Sequence, residues 1–245
     1  YGVGWVADRV WSYQRWYHGR LDATVAPSPE AAERLETAGF SNVMVVGRGV
    51  DADLFHPAKR SAALRAEWEA DTETPVALIV GRISSEKNIK LAMQAFDRMR
   101  EENSNLKCIV VGDGPKREKL RASRKDLKFC GYQTGEALAA CYASSDILLF
   151  PSETETFGNV LLEGMASGWA AGSYDYAASA WHVRHGENGL KVPKGDSGAF
   201  LKEAARLLDA GICRDLGREA RRTAEQLSWP RILEGMEKVL FSVIR

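Results

Sequence analysis

The residues able to do chemistry lie in two glycine-bearing turns and one acidic stretch. Gly81-Arg82-Ile83-Ser84-Ser85-Glu86-Lys87-Asn88 follows an apolar run, Val76–Val80, and sets two cations at a strand-to-helix turn. Free backbone N–H groups, the donor fork of Arg82 and the point charge of Lys87 suit a diphosphate. Gly112-Asp113-Gly114-Pro115 follows a second run, Lys107–Val111, as a tight turn that lets a ligand approach the backbone. The acidic stretch runs from Phe150 to Gly168, with Glu155 and Glu163 eight residues apart. Along one helix these carboxylates lie on roughly the same side, about 12 Å apart. A ligand lying along that helix meets one acid near the N-terminus, where free N–H groups attract anions, and one two turns deeper. None of this is a Walker sequence, and no G-x-G-x-x-G follows the first strand, so ordinary NTPase and dinucleotide readings are weak. His182 and His185 have helical spacing but fall short of a metal-ligand set. No metal and no cofactor is expected.

The elements that must position these residues alternate. Strands are expected at 76–80, 107–111, 128–130, 147–150 and 170–173, with helices near 88–101, 115–124, 135–143 and 157–167 between them. Continuous apolar strands separated by helices predict an α/β fold, a Rossmann-like parallel sheet covered on both faces. In such sheets ligands bind outside the carboxyl ends of the strands, where every turn named above falls. Three further helices are expected, over 197–209, 214–226 and from Trp229 onward. The last carries Trp229, Ile232, Leu233, Met236, Val239, Leu240 and Val243 on one stripe. Residues 1–46 read as helix, strand, helix, strand, too little to fold alone. Their first helix, 5–18, places Trp5, Val6, Val10, Tyr13 and Tyr17 on one stripe. Such stripes are more often core than membrane-facing, though an interfacial helix also mixes Trp with Arg.

Composition excludes several classes. Lys+Arg and Asp+Glu both total 33, which argues against a nucleic-acid binder driven by bulk charge. No apolar run approaches the ~20 residues that span a bilayer. Cys108, Cys130, Cys141 and Cys213 lack metal-type spacing and fit reduced thiols of a cytoplasmic protein. The start at Tyr1 without an initiator Met is that expected of a fragment.

In order along the chain, Gly81-Arg82 with Glu86-Lys87, Val111–Pro115, Cys130-Gly131, Pro151-Ser152, Glu155–Gly158, Glu163 and Glu187–Leu190 resemble the donor-binding domain of retaining GT-B glycosyltransferases, glycosyltransferase family 4 most of all. The resemblance reaches back through Ala26-Pro27-Ser28, Gly49-Val50-Asp51 and Phe55-His56-Pro57. It implies four segments: 1–55 as the remnant of an acceptor-side N-terminal domain, 56–73 as linker, 74–226 as donor domain, and 227–245 as a helix packing back on the first segment. It also implies transfer of a mannose- or glucose-type hexosyl group from a GDP- or UDP-sugar to a lipid, glycan or small-molecule acceptor. Arg82 and Lys87 would hold the diphosphate, with Gly81, Gly112 and Asp113 beside them, and Gly131 and Tyr132 would flank the base. Glu163 would accept from the ribose hydroxyls and Glu155 from the sugar. The amides of Phe157, Gly158, Asn159 and Val160 would close around sugar and phosphate. Catalysis would rest on stabilising the leaving diphosphate through Arg82, Lys87 and the helix N-terminus, with Glu155 at the sugar. The acceptor residues would come from a missing N-terminal domain or a partner chain. A cytoplasmic location, at the inner membrane face for a lipid acceptor, would permit a peripheral contact by the Trp-rich helix.

The sequence departs from the family pattern at Asn88, Gly164, Trp169-Ala170-Ala171 and Ala177-Ala178-Ser179, the last replacing a frequent Gly-Gly that helps cradle phosphate. A second reading is a module that binds nucleotide-sugar without transferring it. A third is a nucleotide-sugar epimerase on the same fold.

Overall fold

The computed structural model describes residues 4–155 and 157–244, without the side chains of 4–6. The side chains of Trp5 and Val6 of the aromatic stripe, and Thr156 in the helix-opening turn, therefore lie outside what is described. The chain divides into two compact units, Tyr1–Gly49 with Trp229–Arg245, and Val50–Ser228.

The larger unit is built on a parallel sheet of six strands: β3 (Val76–Val80), β4 (Lys107–Val111), β5 (Lys128–Gly131), β6 (Ile147–Phe150), β7 (Ala170–Tyr174) and β8 (Leu190–Val192). Their order is β5-β4-β3-β6-β7-β8. The chain lays strands outward from β3 to one edge, then returns to the other side of β3 and runs outward again. That reversal puts a crevice at the carboxyl ends of β3 and β6, where open α/β sheets bind ligands. The strands are apolar at successive residues because both faces are covered. Leu78, Ile109, Leu148 and Ala171 face one core cluster, with Tyr142, Leu161, Met165 and Trp169. Ala77, Ile79, Val110, Ile147 and Leu149 face the other, with Phe96, Met99 and Phe200.

The covering helices are α3 (Ala62–Glu67), α4 (Ile89–Glu102), α5 (Arg117–Ser123), α6 (Gly135–Ala143), α7 (Asn159–Ala166), α8 (Ala178–His182), α9 (Ser197–Arg206) and α10 (Ala210–Glu225). Arg221 of α10 donates through one nitrogen to the carbonyls of Ala52, Phe55 and Ala166, at 2.8, 2.9 and 2.6 Å, which ties the end of α7 to the segment before β3. All four cysteines are free, and Cys108 and Cys141 are buried.

The smaller unit holds α1 (Gly4–His18), β1 (Thr24–Ala26), α2 (Pro29–Thr37), β2 (Val43–Val45) and α11 (Trp229–Val243). Ser28 caps α2 by accepting from the Ala31 N–H, with Pro29 at the first helical position. The α1 stripe is not core: Val10, Tyr13 and Tyr17 are exposed, as are Trp11 and Trp16. On α11, Trp229, Leu233 and Leu240 are exposed too. No described helix is long and apolar enough to cross a membrane.

Candidate functional site

Three strand-end turns are stitched together by their own backbone. The Gly81 N–H donates to Val111 O, Ile83 N–H to Asp113 O, and Gly112 N–H to Gly131 O, at 3.0, 2.9 and 2.7 Å. The approach is close enough to demand glycine. At Gly112 the backbone has φ +134°, and an added Cβ would stand 2.0 Å from Gly81 O.

Over these turns lies a cavity of about 390 Å³. Gly81 and Arg82 follow β3, Gly112 and Asp113 follow β4, and Tyr132 follows β5. Val160 and Glu163 come from α7. Seven of the residues singled out in the sequence thus share one cavity. Lys87, Gly131, Glu155, Phe157, Gly158 and Asn159 do not line it. Val111, the first residue of the Val111–Pro115 motif, also lines it, as do Val80, Gln133, Thr134 and Leu138, which sequence reasoning missed as site residues. Their apolar or neutral character carries no signal of its own. Arg82 is exposed and forms no ion pair among the described residues. Tyr132 is 76% exposed at the cavity edge.

The two glutamates do not share a helix, contrary to the eight-step spacing expected from the sequence. Gly158, with φ +105° and ψ 51°, is the N-cap of α7, so the helix starts at Asn159 and Glu155 stays in the preceding loop. A left-handed residue cannot continue a right-handed helix backward, and glycine takes that conformation at no steric cost. Each carboxylate accordingly has its own partner. Glu155 Oε1 lies 2.5 Å from Lys87 Nζ, which also donates to the Thr154 carbonyl at 3.3 Å. Beside this pair, Asn88 donates to Glu153 at 2.9 Å, and the Glu153 N–H reaches Glu86 O at 3.2 Å. The loop holding Glu155 is therefore clipped to the β3–α4 turn.

Glu163 instead accepts from the hydroxyl of Tyr142 at 2.8 Å. Burial pushes its carboxyl above the ordinary value, and the Tyr142 bond partly offsets that. Phe157 is buried, its ring edge-on to His182, and its carbonyl accepts from the Ala178 N–H at 2.8 Å. The helical spacing of His182 and His185 does not arise: α8 ends at His182, and Val183 is extended. His182 is buried, which lowers its pKa to about 4, while His185 accepts from the Lys191 N–H. Among the described residues no group of three His, Cys, Asp or Glu side chains could hold a metal ion.

A cavity that holds Arg82, which makes no ion pair among the described residues, and Glu163, with the Lys87–Glu155 pair outside its lining, suits a phosphorylated ligand that also presents hydroxyls. Known proteins carry the same arrangement of strands. The chain superposes on sucrose-phosphate synthase from Thermosynechococcus elongatus with a TM-score of 0.82 and 22% identity, covering 96% of this chain and 62% of that one. It superposes on Anabaena Alr3699/HepE, in complex with UDP and glucose, with a TM-score of 0.80 and 19% identity, covering 95% and 66%. At these identities the likeness shows the fold, that of GT-B glycosyltransferases.

Sequence relatives go further. A GDP-mannose-dependent alpha-mannosyltransferase of Mycolicibacterium smegmatis is 34% identical over 235 residues, which cover 96% of this chain and 60% of the relative. A sulfoquinovosyl transferase of Arabidopsis thaliana is 30% identical over 243 residues, covering 94% of this chain and 46% of the relative. The chain thus spans only about half to three-fifths of the length of these relatives. Residues 61–223, which hold the six-stranded sheet and every candidate site residue, match the model of the glycosyl transferases group 1, and the chain belongs to that family.

Proposed function

We propose that this chain binds a nucleotide-sugar, GDP-mannose in the first instance, and supplies the donor half of a retaining hexosyltransferase of glycosyltransferase family 4. The observation that carries this reading is the convergence of Arg82, Asp113, Tyr132 and Glu163 on one cavity at the carboxyl ends of β3, β4 and β5. The choice of GDP-mannose rests on the GDP-mannose dependence of the Mycolicibacterium relative.

In this reading Arg82 and Lys87 bind the diphosphate, Tyr132 and the Gly131 backbone flank the base, and Glu163 accepts from the ribose hydroxyls. Glu155 takes the sugar hydroxyls, and the amides at the start of α7 close over sugar and phosphate. As the glycosidic bond breaks, negative charge grows on the leaving diphosphate. Arg82, Lys87 and the positive end of α7 stabilise that charge, and this preorganised electrostatic term is the main catalytic contribution. No metal or other cofactor enters these steps.

The acceptor is a lipid, glycan or small molecule bound by residues outside this chain. The reaction takes place in the cytoplasm, at the inner membrane face for a lipid acceptor. The exposed Trp11, Tyr13, Trp16 and Tyr17 of α1 suit an interfacial contact there.

Calorimetry tests the donor assignment directly. GDP and GDP-mannose should bind more tightly than UDP, UDP-glucose or ADP, and Arg82→Ala should weaken GDP by at least tenfold. A folded protein that gives no heat with any of these nucleotides would rule the reading out.

A further inference from the structure

Tyr142 lies on α6, is fully buried, and does not itself line the candidate donor site, although Leu138 of the same helix does. Its ring is clamped on two sides. Trp169 packs at 4.7 Å between centroids and Phe55 meets it edge-on at 5.4 Å. The Trp169 indole N–H also donates to the Tyr142 carbonyl at 2.7 Å, fixing the backbone that carries the ring. The hydroxyl then ends against the wall of the cavity, 2.8 Å from Glu163 Oε2 and 3.4 Å from the Val160 carbonyl. Both Val160 and Glu163 line that cavity on its other side.

A buried phenol needs an acceptor, and a backbone carbonyl satisfies it at little cost. Here the principal acceptor is a carboxylate that burial penalises, which packing alone does not call for. We infer that Tyr142 is a positioning residue for Glu163: it holds Oε2 at the back of the cavity so that the remaining lone pairs face a ribose diol. An ionised carboxylate has about four acceptor sites, so three remain when Tyr142 takes one. Glu163 Oε1 has no hydrogen-bond partner among the described residues. This inference rests on the assignment of Glu163 to the ribose made above.

The bond has a second consequence. Tyr142 lowers the Glu163 pKa against the upward push of burial, so it keeps the carboxylate ionised, and able to accept, at lower pH. The other ionisable groups lining the cavity are Arg82, Asp113 and Tyr132.

The test is calorimetry on the full chain with GDP and 2′-deoxy-GDP between pH 5 and 8. Wild type should prefer GDP and lose that preference in acid as Glu163 takes up a proton. Tyr142→Phe should bind GDP about tenfold more weakly at neutral pH, narrow its preference over 2′-deoxy-GDP, and move the acid limb to higher pH. Phe55→Leu, which loosens the ring but keeps the hydroxyl, should lower stability and leave the acid limb in place. If Tyr142→Phe weakens both nucleotides equally with an unmoved limb, Tyr142 is packing only and the inference fails. Should Tyr142→Phe not fold, Glu163→Asp withdraws the carboxylate from the hydroxyl by one methylene, and full ribose preference in that variant overturns the inference. Failure of the underlying assignment looks different: Glu163→Gln would then leave the GDP preference over 2′-deoxy-GDP intact.

Discussion

Lys87 and Glu155 neutralise each other: Nζ and Oε1 are 2.5 Å apart, with the two side chains only 24% and 12% exposed. In the proposed donor complex these same groups serve different parts of the ligand, one the diphosphate and one the sugar. A diphosphate must therefore compete with Glu155 for the Lys87 ammonium. Glu155→Gln keeps a hydrogen-bond acceptor but removes the competing charge. It should raise affinity for free GDP roughly threefold to tenfold, which is about 0.7–1.4 kcal/mol. Lys87→Ala should do the opposite by tenfold or more, because it leaves a buried carboxylate facing the phosphates. Calorimetry with GDP on both variants decides the matter, and equal losses in the two would mean there is no competition.

Glu163 should cost the unliganded protein stability at neutral pH. Its folded-state pKa lies above the ordinary 4.5 because burial disfavours the ionised form. The native chain therefore binds this proton more tightly than the unfolded chain does. That contribution favours folding in acid and is lost as pH rises from the ordinary value through the raised one. Glu163→Gln removes the charge and keeps an acceptor for Tyr142. Its melting temperature should exceed that of wild type at pH 7, by roughly 2–4 °C for each kcal/mol recovered, and the gap should close below the ordinary carboxyl pKa. Thermal unfolding followed at several pH values checks both the sign and the window.

How far the sequence was legible depended on whether the deciding contact was local. Strands 76–80, 107–111 and 147–150 have the residues expected, since an apolar run covered on both faces is visible in the chain itself. The order of glycine turns likewise follows from strand–helix alternation, which sends each to the same sheet edge. The start of α7 was missed because the helix is stopped by the left-handed Gly158, and nothing in Thr-Phe-Gly-Asn states which residue turns the chain. Two short elements escaped too: α8, with five residues, and β8, with three, follow the last expected strand and show no run or stripe of their own in the chain. Tyr142 was invisible as a site residue, since on an apolar helix it looks like core, and only the fold brings Glu163 to its hydroxyl. The α1 stripe failed in the opposite sense: its period is helical, but burial depends on what packs against it, which periodicity does not encode.

Two helical glycines should respond oppositely to alanine. Gly217 in α10 lies against the turn before β7, and an added Cβ would stand 2.2 Å from Gly168 O. Backbone there cannot yield as a flexible side chain would. Gly217→Ala should destabilise by roughly 1–3 kcal/mol, the usual cost of overpacking. Gly235 in α11 has nothing within 4 Å of its added Cβ, so Gly235→Ala should gain about 0.5–1 kcal/mol of helix propensity. Urea midpoints for the two variants give the comparison, and a stabilised Gly217→Ala would refute the close approach of α10 to Gly168.

Ala177 occupies a conformation that suits glycine. Its backbone has φ +51° and ψ −128°, immediately before α8, at the place where the sequence lacks the family's frequent Gly-Gly. A non-glycine residue in so sparsely populated a region costs on the order of 1–3 kcal/mol. Glycine would relieve that strain, although its greater freedom in the unfolded chain returns about 0.5–1 kcal/mol. The strain is the larger of the two, so Ala177→Gly should stabilise the protein by roughly 1 kcal/mol, read as a higher urea midpoint with an unchanged slope. The same variant tests what the turn contributes to the donor site. The neighbouring Ala178 N–H is already committed to Phe157 O at 2.8 Å, which links this turn to the start of α7. If the strain at Ala177 serves to hold that link, Ala177→Gly will gain stability yet bind GDP more weakly. Unchanged GDP affinity would make the alanine a tolerated substitution with no part in the site.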